Sequence, residues 1–233
     1  MEWQIVATGL FPAGHKIEQD GDLLRGTGQS AQGLVAVIGT TNHAEVGVDL
    51  ALALAAAVLE VVREQPNRPI LFLVDTCGQK LRRREEMLGL NGFMAHLAKC
   101  VELARQRGHA ILSLVYDQAL SGGFLAYGMM ADCCAALPAA EIRVMGIAAM
   151  ARVTRIPEAQ LKELSESSPV FAAGAQNYVL LGGIDTIWDG DLAGCLNHAL
   201  THIETRDLRR RHGADRGGRT LAHSVSERVA TAA

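Results

Sequence analysis

The sequence contains few aromatic residues: phenylalanine, tyrosine and tryptophan together make up 4% of its 233 residues. Proteins that bind single-stranded nucleic acids stack the bases on aromatic side chains, so we expect no nucleic-acid partner. Long apolar runs are also absent. The longest, residues 50–59, is alanine-rich and reaches half of the roughly 20 residues that a membrane span requires. The N-terminal residues do not have the pattern of a secretory leader, and we expect no membrane partner.

The five cysteines form neither a Cys-x-x-Cys pair nor a pattern with histidine that is typical of zinc sites. We therefore expect no metal, and the odd number of cysteines favours a reducing compartment, the cytoplasm. The sequence also lacks the Gly-x-Ser-x-Gly elbow of hydrolases, the P-loop and the dinucleotide-binding glycine motif. These absences argue against the common serine-dependent and nucleotide-dependent enzymes.

What the chain does contain is typical of an α/β fold, in which strands alternate with helices. Apolar residues make up 49% of the chain, and 24 residues are glycine. Apolar runs without alternation predict strands that are buried on both faces; they cover 33–39, 69–75, 110–116, 133–138 and 183–188. Helical patterns lie between and after them, over 48–63, 91–107, 123–131, 157–166, 170–181 and 191–211. Near the N-terminus we expect short strands, over 3–11 and 21–26.

Charge is distributed unevenly along the chain. Residues 1–205 carry 15 basic and 22 acidic side chains, whereas residues 206–233 carry 7 basic and 3 acidic ones. We expect a single domain over 1–205, followed by a basic tail over 206–233 that frays after the end of a helix. A basic tail is either a solvated terminus or a contact for an acidic partner.

Two strand-to-helix turns are the candidate site. The first strand is predicted to end at Asp75, and Thr76, Cys77, Gly78 and Gln79 then turn the chain. The second strand is predicted to end near Tyr116, and a Ser-Gly-Gly turn follows at 121–123. Ligands of α/β sheets bind at the carboxyl ends of strands, so both turns lie where a ligand is expected.

The Ser-Gly-Gly turn offers backbone N–H groups to an anion. Gly122 and Gly123 lack a Cβ and let a ligand approach the backbone, and the first N–H groups of a helix have no partner within the helix. Their N–H groups are candidates for holding an enolate or carboxylate oxygen. The alternative is an ordinary helix start, with Ser121 as the N-cap and the glycines present for packing.

Two further groups have open roles. Cys77 lies in a turn before a helix, where a thiolate is favoured and could act as a nucleophile, although no histidine is near it in sequence. Arg82, Arg83 and Arg84 form a basic cluster. They are either a solvated helix start balanced by neighbouring Glu85 and Glu86, or a dock for phosphate or an acidic protein.

Together these motifs resemble a known family. The segment 69–79 resembles the strand and Asp-Thr-Pro-Gly turn of the α half of biotin-dependent carboxyltransferases, with Cys77 in place of the proline. The segment 121–145 resembles the glycine-pair oxyanion turn of that family and the Ala-Asp and strand that follow it, and Leu-Gly-Gly-Ile-Asp at 181–185 resembles a late strand. Residues of about 30–200 are most similar to the γ subunit of biotin-independent malonate decarboxylase.

The resemblance implies a crotonase-like fold, in which ββα units spiral into two stacked sheets flanked by helices. It implies a heterodimer with a homologous β subunit, and further partners in an acyl carrier protein and the acyl-carrier transferase α subunit. The complex would convert a malonyl thioester to an acetyl thioester and CO2. The substrate would be carried on the phosphoribosyl-dephospho-CoA arm of the carrier. No cofactor, including biotin, would be bound by this chain.

The resemblance also implies site roles. Gly122 and Gly123 would be the catalytic donors, and the first turn together with Ser121 would bind the substrate. Whether the glycine pair holds the enolate or the departing carboxylate stays open. So do two other functions: a non-catalytic partner of the β subunit, and a stand-alone crotonase-type hydratase or hydrolase of acyl-CoA.

Overall fold

The computed structural model describes residues 1–167, 174–204, 208–218 and 221–232. The strands are β1 (His15–Asp20), β2 (Leu23–Ser30), β3 (Gly33–Thr40), β4 (Ala44–Val46), β5 (Ile70–Gln79), β6 (Ile111–Leu120), β7 (Cys133–Ala136), β8 (Glu141–Arg143) and β9 (Thr186–Ile187). The helices are α1 (Trp3–Leu10), α2 (Val48–Glu64), α3 (Arg83–Leu88), α4 (Leu90–Gln106), α5 (Ser121–Leu125), α6 (Ile147–Thr154), α7 (Glu158–Ser167), α8 (Ala175–Leu181), α9 (Leu192–Thr201), α10 (Arg209–Asp215) and α11 (Ala222–Thr231). A 3-10 turn spans Gly128–Met130. The α/β alternation is confirmed.

The main sheet has the strand order β1-β2-β3-β5-β6-β7-β9. The first three strands form an antiparallel meander, and the strands from β3 onward pair in parallel. Parallel strands need crossovers that cover both faces of the sheet, and here helices supply them. This explains why the predicted strands lack an apolar-polar alternation.

Both strands next to the candidate site are longer than the sequence predicts. The ladder between β5 and β6 shifts register at a bulge, from Val74 opposite Val115 to Thr76 opposite Ala119. Beyond the bulge, β4 pairs with the end of β5 and β8 with the end of β6. The expectation that these strands end at Asp75 and Tyr116 is wrong, because backbone pairing with two short strands continues where the apolar run stops. Among the described residues, β4 and β8 belong to the same sheet as the other strands.

The core has two parts, one on each face of the sheet. Ile70, Phe72 and Val74 of β5 pack on the face covered by α2 and α4, while Leu71 and Leu73 pack on the face covered by α1 and α9. Successive residues of a strand point to opposite faces. β5 is buried on both sides and has no polar residue before Asp75.

The strand predicted over 3–11 is wrong, because this segment is the helix α1. Its buried residues are Trp3, Val6, Ala7 and Leu10, the i, i+3, i+4, i+7 spacing of one helix face. They pack against the α9 side of the sheet. The segment has high β propensity, but its buried face has helical spacing, and packing overrides propensity.

In the C-terminal half, the helices are shorter than the sequence predicts. The helix expected over 123–131 is the short α5 and a 3-10 turn, and that over 191–211 is α9 followed by α10. Residues 170–173 of the helix expected over 170–181 lie outside the described residues; the remainder contains α8. None of the described helices has the length and apolar character needed to cross a membrane.

The tail is not frayed where it follows Leu208. Residues 209–215 form α10, which packs on α8. Directly after α10, the guanidinium of Arg216 donates to the carbonyl oxygens of Val179, Ile184 and Asp185 at 2.9–3.2 Å. Arg216 therefore satisfies carbonyl groups at and after the C-terminal turn of α8. The division into a domain over 1–205 and a tail over 206–233 stays a prediction.

Candidate active site

The two predicted turns lie directly against each other. A Cβ placed on Gly123 would lie 2.8 Å from the carbonyl carbon and 2.9 Å from the Cα of Gly78. Gly78 has φ of +108°, a conformation that favours glycine. A Cβ there would be 3.0 Å from the Cβ of Ser121. The glycines therefore permit backbone-to-backbone contact between the end of β5 and the start of α5.

Thr76 fixes the first turn from inside. Its buried Oγ1 donates to the carbonyl oxygen of Ala44 at 2.7 Å and accepts the N–H of Gly78 at 3.0 Å. The same oxygen would lie 2.9 Å from a Cβ on Gly123. Both hydrogen bonds are internal, so the hydroxyl positions the backbone of the first turn. Substrate binding by Thr76 stays a prediction.

The glycine pair lies at the N-terminus of α5. The N–H of Gly122 donates to the side-chain oxygen Oε1 of Gln79 at 2.8 Å. Gly123 is buried, and its N–H is among the first of α5, which have no acceptor within the helix. Buried N–H groups in proteins almost always have an acceptor. The turn is therefore able to donate to a ligand oxygen. At present the side-chain oxygen of Gln79 accepts from the Gly122 amide.

Ser121 is not the N-cap that the alternative interpretation requires. It is the first residue of α5 and has φ of +54°, whereas Leu120 is the N-cap and supplies no side-chain hydrogen bond. The left-handed conformation is strained for a residue with a Cβ. Because α5 has only five residues, its dipole is small. Stabilisation of an anion at this turn therefore depends on the individual N–H groups.

Cys77 is not an activated nucleophile. Instead of lying at a helix N-terminus, it lies in the bulge of β5 next to β4. Partial burial, followed by the nearby carboxylate of Glu45, raises the pKa of its thiol. A raised pKa keeps the sulfur protonated at neutral pH. The expectation of a favoured thiolate is wrong, because β5 continues through the residues predicted to form a turn.

The arginine cluster is largely neutralised. Arg82 pairs with Glu45 at 2.7 Å, and Arg84 pairs with Asp49 and Glu85, both at 3.0 Å. Exposed pairs of this kind contribute little stability. Arg83 is exposed and has no ion pair among the described residues. Docking of a carrier protein by this cluster stays a prediction that depends mainly on Arg83.

Sequence reasoning missed a polar cluster at the carboxyl edge of the main sheet. The buried carboxylate of Asp75 accepts the backbone N–H of His43 at 2.8 Å and lies 2.8 Å from its ring Nδ1. It also accepts the N–H of Gln118 at 3.3 Å. A charged residue is almost never fully buried without partners. The aspartate at the end of an apolar strand was the signal that could have predicted this cluster.

Two tyrosines lie behind this cluster. The hydroxyl of Tyr127 is 2.7 Å from Oγ1 of Thr40, and that of Tyr116 donates to the carbonyl oxygen of Thr40 at 3.0 Å. Burial raises the pKa of both phenols. Both therefore stay neutral and hold the strand ends in place.

Comparison with known proteins decides the family. A model of the malonate decarboxylase gamma subunit matches residues 41–233, which is most of the chain. The chain belongs to this family. The resemblance drawn from its motifs is thereby confirmed.

Relatives of the family agree with this. The malonyl-S-ACP:biotin-protein carboxyltransferase MADD of Malonomonas rubra is 31% identical over 174 residues, which are 70% of this chain and 59% of that protein. The chain thus spans about three fifths of that relative's length.

Solved structures of the family match closely. One is a Pseudomonas malonate decarboxylase hetero-tetramer in complex with coenzyme A, with a TM-score of 0.79, 27% identity, and coverage of 95% of this chain and 96% of that one. Another is the Pseudomonas MdcD–MdcE hetero-dimer, with a TM-score of 0.74, 29% identity, and coverage of 93% and 96%.

The wider fold is that of carboxyltransferases. The 12S transcarboxylase matches with a TM-score of 0.70 at 18% identity, over 87% of this chain and 42% of that one. A structural match at 18% sequence identity is evidence for the fold alone. It confirms the expected crotonase-like architecture of this malonate decarboxylase subunit.

Proposed function

We propose that the chain is the γ subunit of a malonyl-thioester decarboxylase, a carboxy-lyase. With a homologous β subunit it converts a malonyl thioester to an acetyl thioester and CO2. The substrate is carried on the phosphoribosyl-dephospho-CoA arm of an acyl carrier protein, and no biotin takes part. The name of the Malonomonas relative, which specifies malonyl-S-ACP, and the resemblance to biotin-independent decarboxylases support this assignment.

The observation that carries the proposal is the hydrogen bond from Gly122 to the amide oxygen of Gln79. When the bond to the carboxylate breaks, its electron pair moves into the thioester and places negative charge on the carbonyl oxygen. Preorganised N–H donors at that oxygen lower the barrier, and one such donor contributes about 2.7–4 kcal/mol. On binding, a substrate oxygen replaces the Gln79 oxygen. That substrate oxygen belongs either to the thioester or to the departing carboxylate.

A β subunit has a suitable surface beside this turn. Leu125 of α5 and Val144, which follows β8, are exposed apolar residues, and α6 has no buried residue. β8 pairs with the residues of β6 that precede the glycine turn. The hetero-dimer and hetero-tetramer of the Pseudomonas enzymes support a partner subunit, and we place it at this apolar surface. A covering subunit would also exclude water from the glycine amides.

We expect the carrier protein to bind at the arginine cluster. Acyl carrier proteins that are acidic would be attracted to Arg83, the exposed cation of this group without an ion pair among the described residues. Charge reversal of Arg82, Arg83 and Arg84 should weaken carrier binding, and the effect should shrink as salt screens it. Unchanged affinity at low salt would show that the carrier docks elsewhere.

A second function, a scaffold for the β subunit without catalytic groups, is favoured by the same hydrogen bond. If Gln79 permanently occupies Gly122, the turn has no free donor at that amide. The two functions differ in one measurement. The complex of this chain with its β partner is assayed for CO2 release from a malonyl-carrier thioester, with a Gly123→Val chain for comparison. Assembly without turnover in the variant supports catalysis, and near-normal turnover in an intact variant complex supports the scaffold.

A further inference from the structure

We propose that His43 is the proton donor that converts the enolate into the acetyl thioester, with Asp75 as its positioning residue. The inference rests on the proposed function, because loss of CO2 leaves a carbanion that must gain a proton. The glycine turn supplies only backbone N–H groups, which stabilise charge but do not protonate carbon. A separate acid is therefore required.

His43 and Asp75 have the geometry of an oriented acid. The Asp75 side chain is 4% exposed, and its Oδ1 lies 2.8 Å from Nδ1 of His43. Its Oδ2 accepts the backbone N–H of the same residue, also at 2.8 Å. A buried carboxylate on Nδ1 fixes the orientation and the tautomer of the ring. The imidazole is 51% exposed, and among the described residues Nε2 has no hydrogen-bond partner.

The backbone of the loop that carries His43 is strained. Asn42 and His43 are consecutive and have φ of 60° and 50°. Such conformations are unfavourable for residues with a Cβ and persist where the surroundings fix them, often at functional sites. Here Asn42 donates to Oδ1 of Asp22 at 3.1 Å, and Asp75 holds His43. Ser121, directly before the glycine pair, has the same strain.

A short chain of contacts links the dyad to the glycine turn. The residue after His43 is Ala44, whose carbonyl oxygen accepts from Oγ1 of Thr76. That hydroxyl oxygen would lie 2.9 Å from a Cβ on Gly123. With standard bond lengths, these contacts keep the Cα of His43 within about 13 Å of the Cα of Gly123. Asp75 and Thr76 are consecutive, so one segment of β5 positions both the acid and the donors.

The proposed step balances as follows. The bond between the carboxylate carbon and the α-carbon breaks, CO2 leaves, and the electron pair forms the enolate. The enolate α-carbon then takes the Nε2 proton of the His43 imidazolium, a C–H bond forms, and the thioester carbonyl is restored. The neutral imidazole keeps the Nδ1 proton toward Asp75 and regains its second proton from water. No oxidant, reductant or metal is needed for this sequence.

The experiment compares His43→Asn with the wild type in the complex assembled with the β subunit. Asparagine can still donate a hydrogen bond to Asp75 but lacks Nε2. The variant therefore tests proton donation by Nε2 separately from the structural hydrogen bond. General acids contribute about 10²–10⁴-fold to rate. We expect kcat for CO2 release or acetyl thioester formation to fall by about 10²-fold or more, with KM little changed. We also expect partial rescue of His43→Ala by free imidazole.

A second measurement follows the proton itself. By microscopic reversibility, the wild-type complex should exchange the methyl hydrogens of the acetyl thioester with deuterium from D2O, and His43→Asn should lose this exchange. Normal kcat and normal exchange in His43→Asn would overturn the proposal, as would failure of both His43 variants to assemble, which would make the residue structural. A wild-type complex that releases no CO2 would instead overturn the proposed function.

Discussion

Replacing Gly123 with alanine is the most informative single change at the candidate site. Its Cβ would lie 2.8 Å from the carbonyl carbon of Gly78 and 2.9 Å from both the Cα of Gly78 and Oγ1 of Thr76. Two of these three atoms are backbone atoms of β5, and the third is held by internal hydrogen bonds. None is the end of a flexible side chain. The turn itself must therefore move.

The displacement of the turn determines how far we expect kcat to fall. An ordinary carbon contact is about 3.5–4.0 Å, so relief of the clash requires a displacement of about 0.6–1.2 Å. A misplacement of about 1 Å can cost about 10²-fold in rate, and complete loss of an oxyanion donor costs about 10²–10³-fold. We expect kcat of the Gly123→Ala complex to fall by about 10²-fold. The neighbouring Gly122→Ala should cost less, because its Cβ would meet only the movable end of Gln79, at 2.9 Å.

The assay is CO2 release by the assembled complex, with assembly checked by size-exclusion chromatography. The matched control is Gly92→Ala. Gly92 lies on the exposed side of α4, and a Cβ there would meet no atom within 4 Å, so this variant should keep full activity and gain up to about 1 kcal/mol of stability from helix propensity. Turnover within threefold of wild type in an intact Gly123→Ala complex would refute the role given to the turn.

Three further changes test the surroundings of the turn. Gln79→Met removes the acceptor that competes for the Gly122 amide, and we expect KM to fall by about two- to tenfold, the value of one net hydrogen bond; a rise in KM would instead make Gln79 a substrate ligand. Cys77→Ser should keep turnover within about twofold. In the wild type, Cys77 should be alkylated at pH 7 no faster than an ordinary exposed cysteine (pKa ~8.5), because the pKa of its thiol is raised. Rapid alkylation of Cys77 at pH 7 would contradict this. Glu85 accepts the N–H of Val48, and this hydrogen bond is the main cause that lowers its pKa from 4.5. Its stabilising contribution should be fully present above pH 4.5 and disappear as pH falls through the lower folded-state pKa. The stability difference between wild type and Glu85→Gln in chemical unfolding should therefore vanish at acidic pH, and a difference that persists there would show that the carboxylate charge is not its origin.

The halves of β5 and β6 in the main sheet could be predicted because burial on both faces leaves continuous apolar runs. Their extensions could not, because residues beyond Asp75 are held by backbone pairing with β4 and β8, and backbone pairing leaves no mark in composition. For the same reason Cys77 was expected in a turn. Helix α1 was missed because its residues also suit a strand, and only its contacts with the sheet and α9 decide between the two.

The glycine turn could be predicted because close backbone approach leaves a direct trace in sequence, the absence of side chains. The contact between Gly78 and Gly123 accounts for both glycines. The His43–Asp75 pair could not be predicted, because 31 residues separate the two in sequence and a strained loop brings them together. Distant side chains that meet only in the fold leave no local pattern.

The most direct test of the central claim is a crystal structure of the complex with a malonyl thioester analogue that cannot lose CO2. The account predicts an oxygen of the analogue about 2.7–3.1 Å from the amide nitrogen of Gly122 or Gly123, with the side chain of Gln79 displaced. The identity of that oxygen will show whether the turn holds the enolate or the departing carboxylate. An analogue bound elsewhere, with Gln79 still on Gly122, would contradict the account.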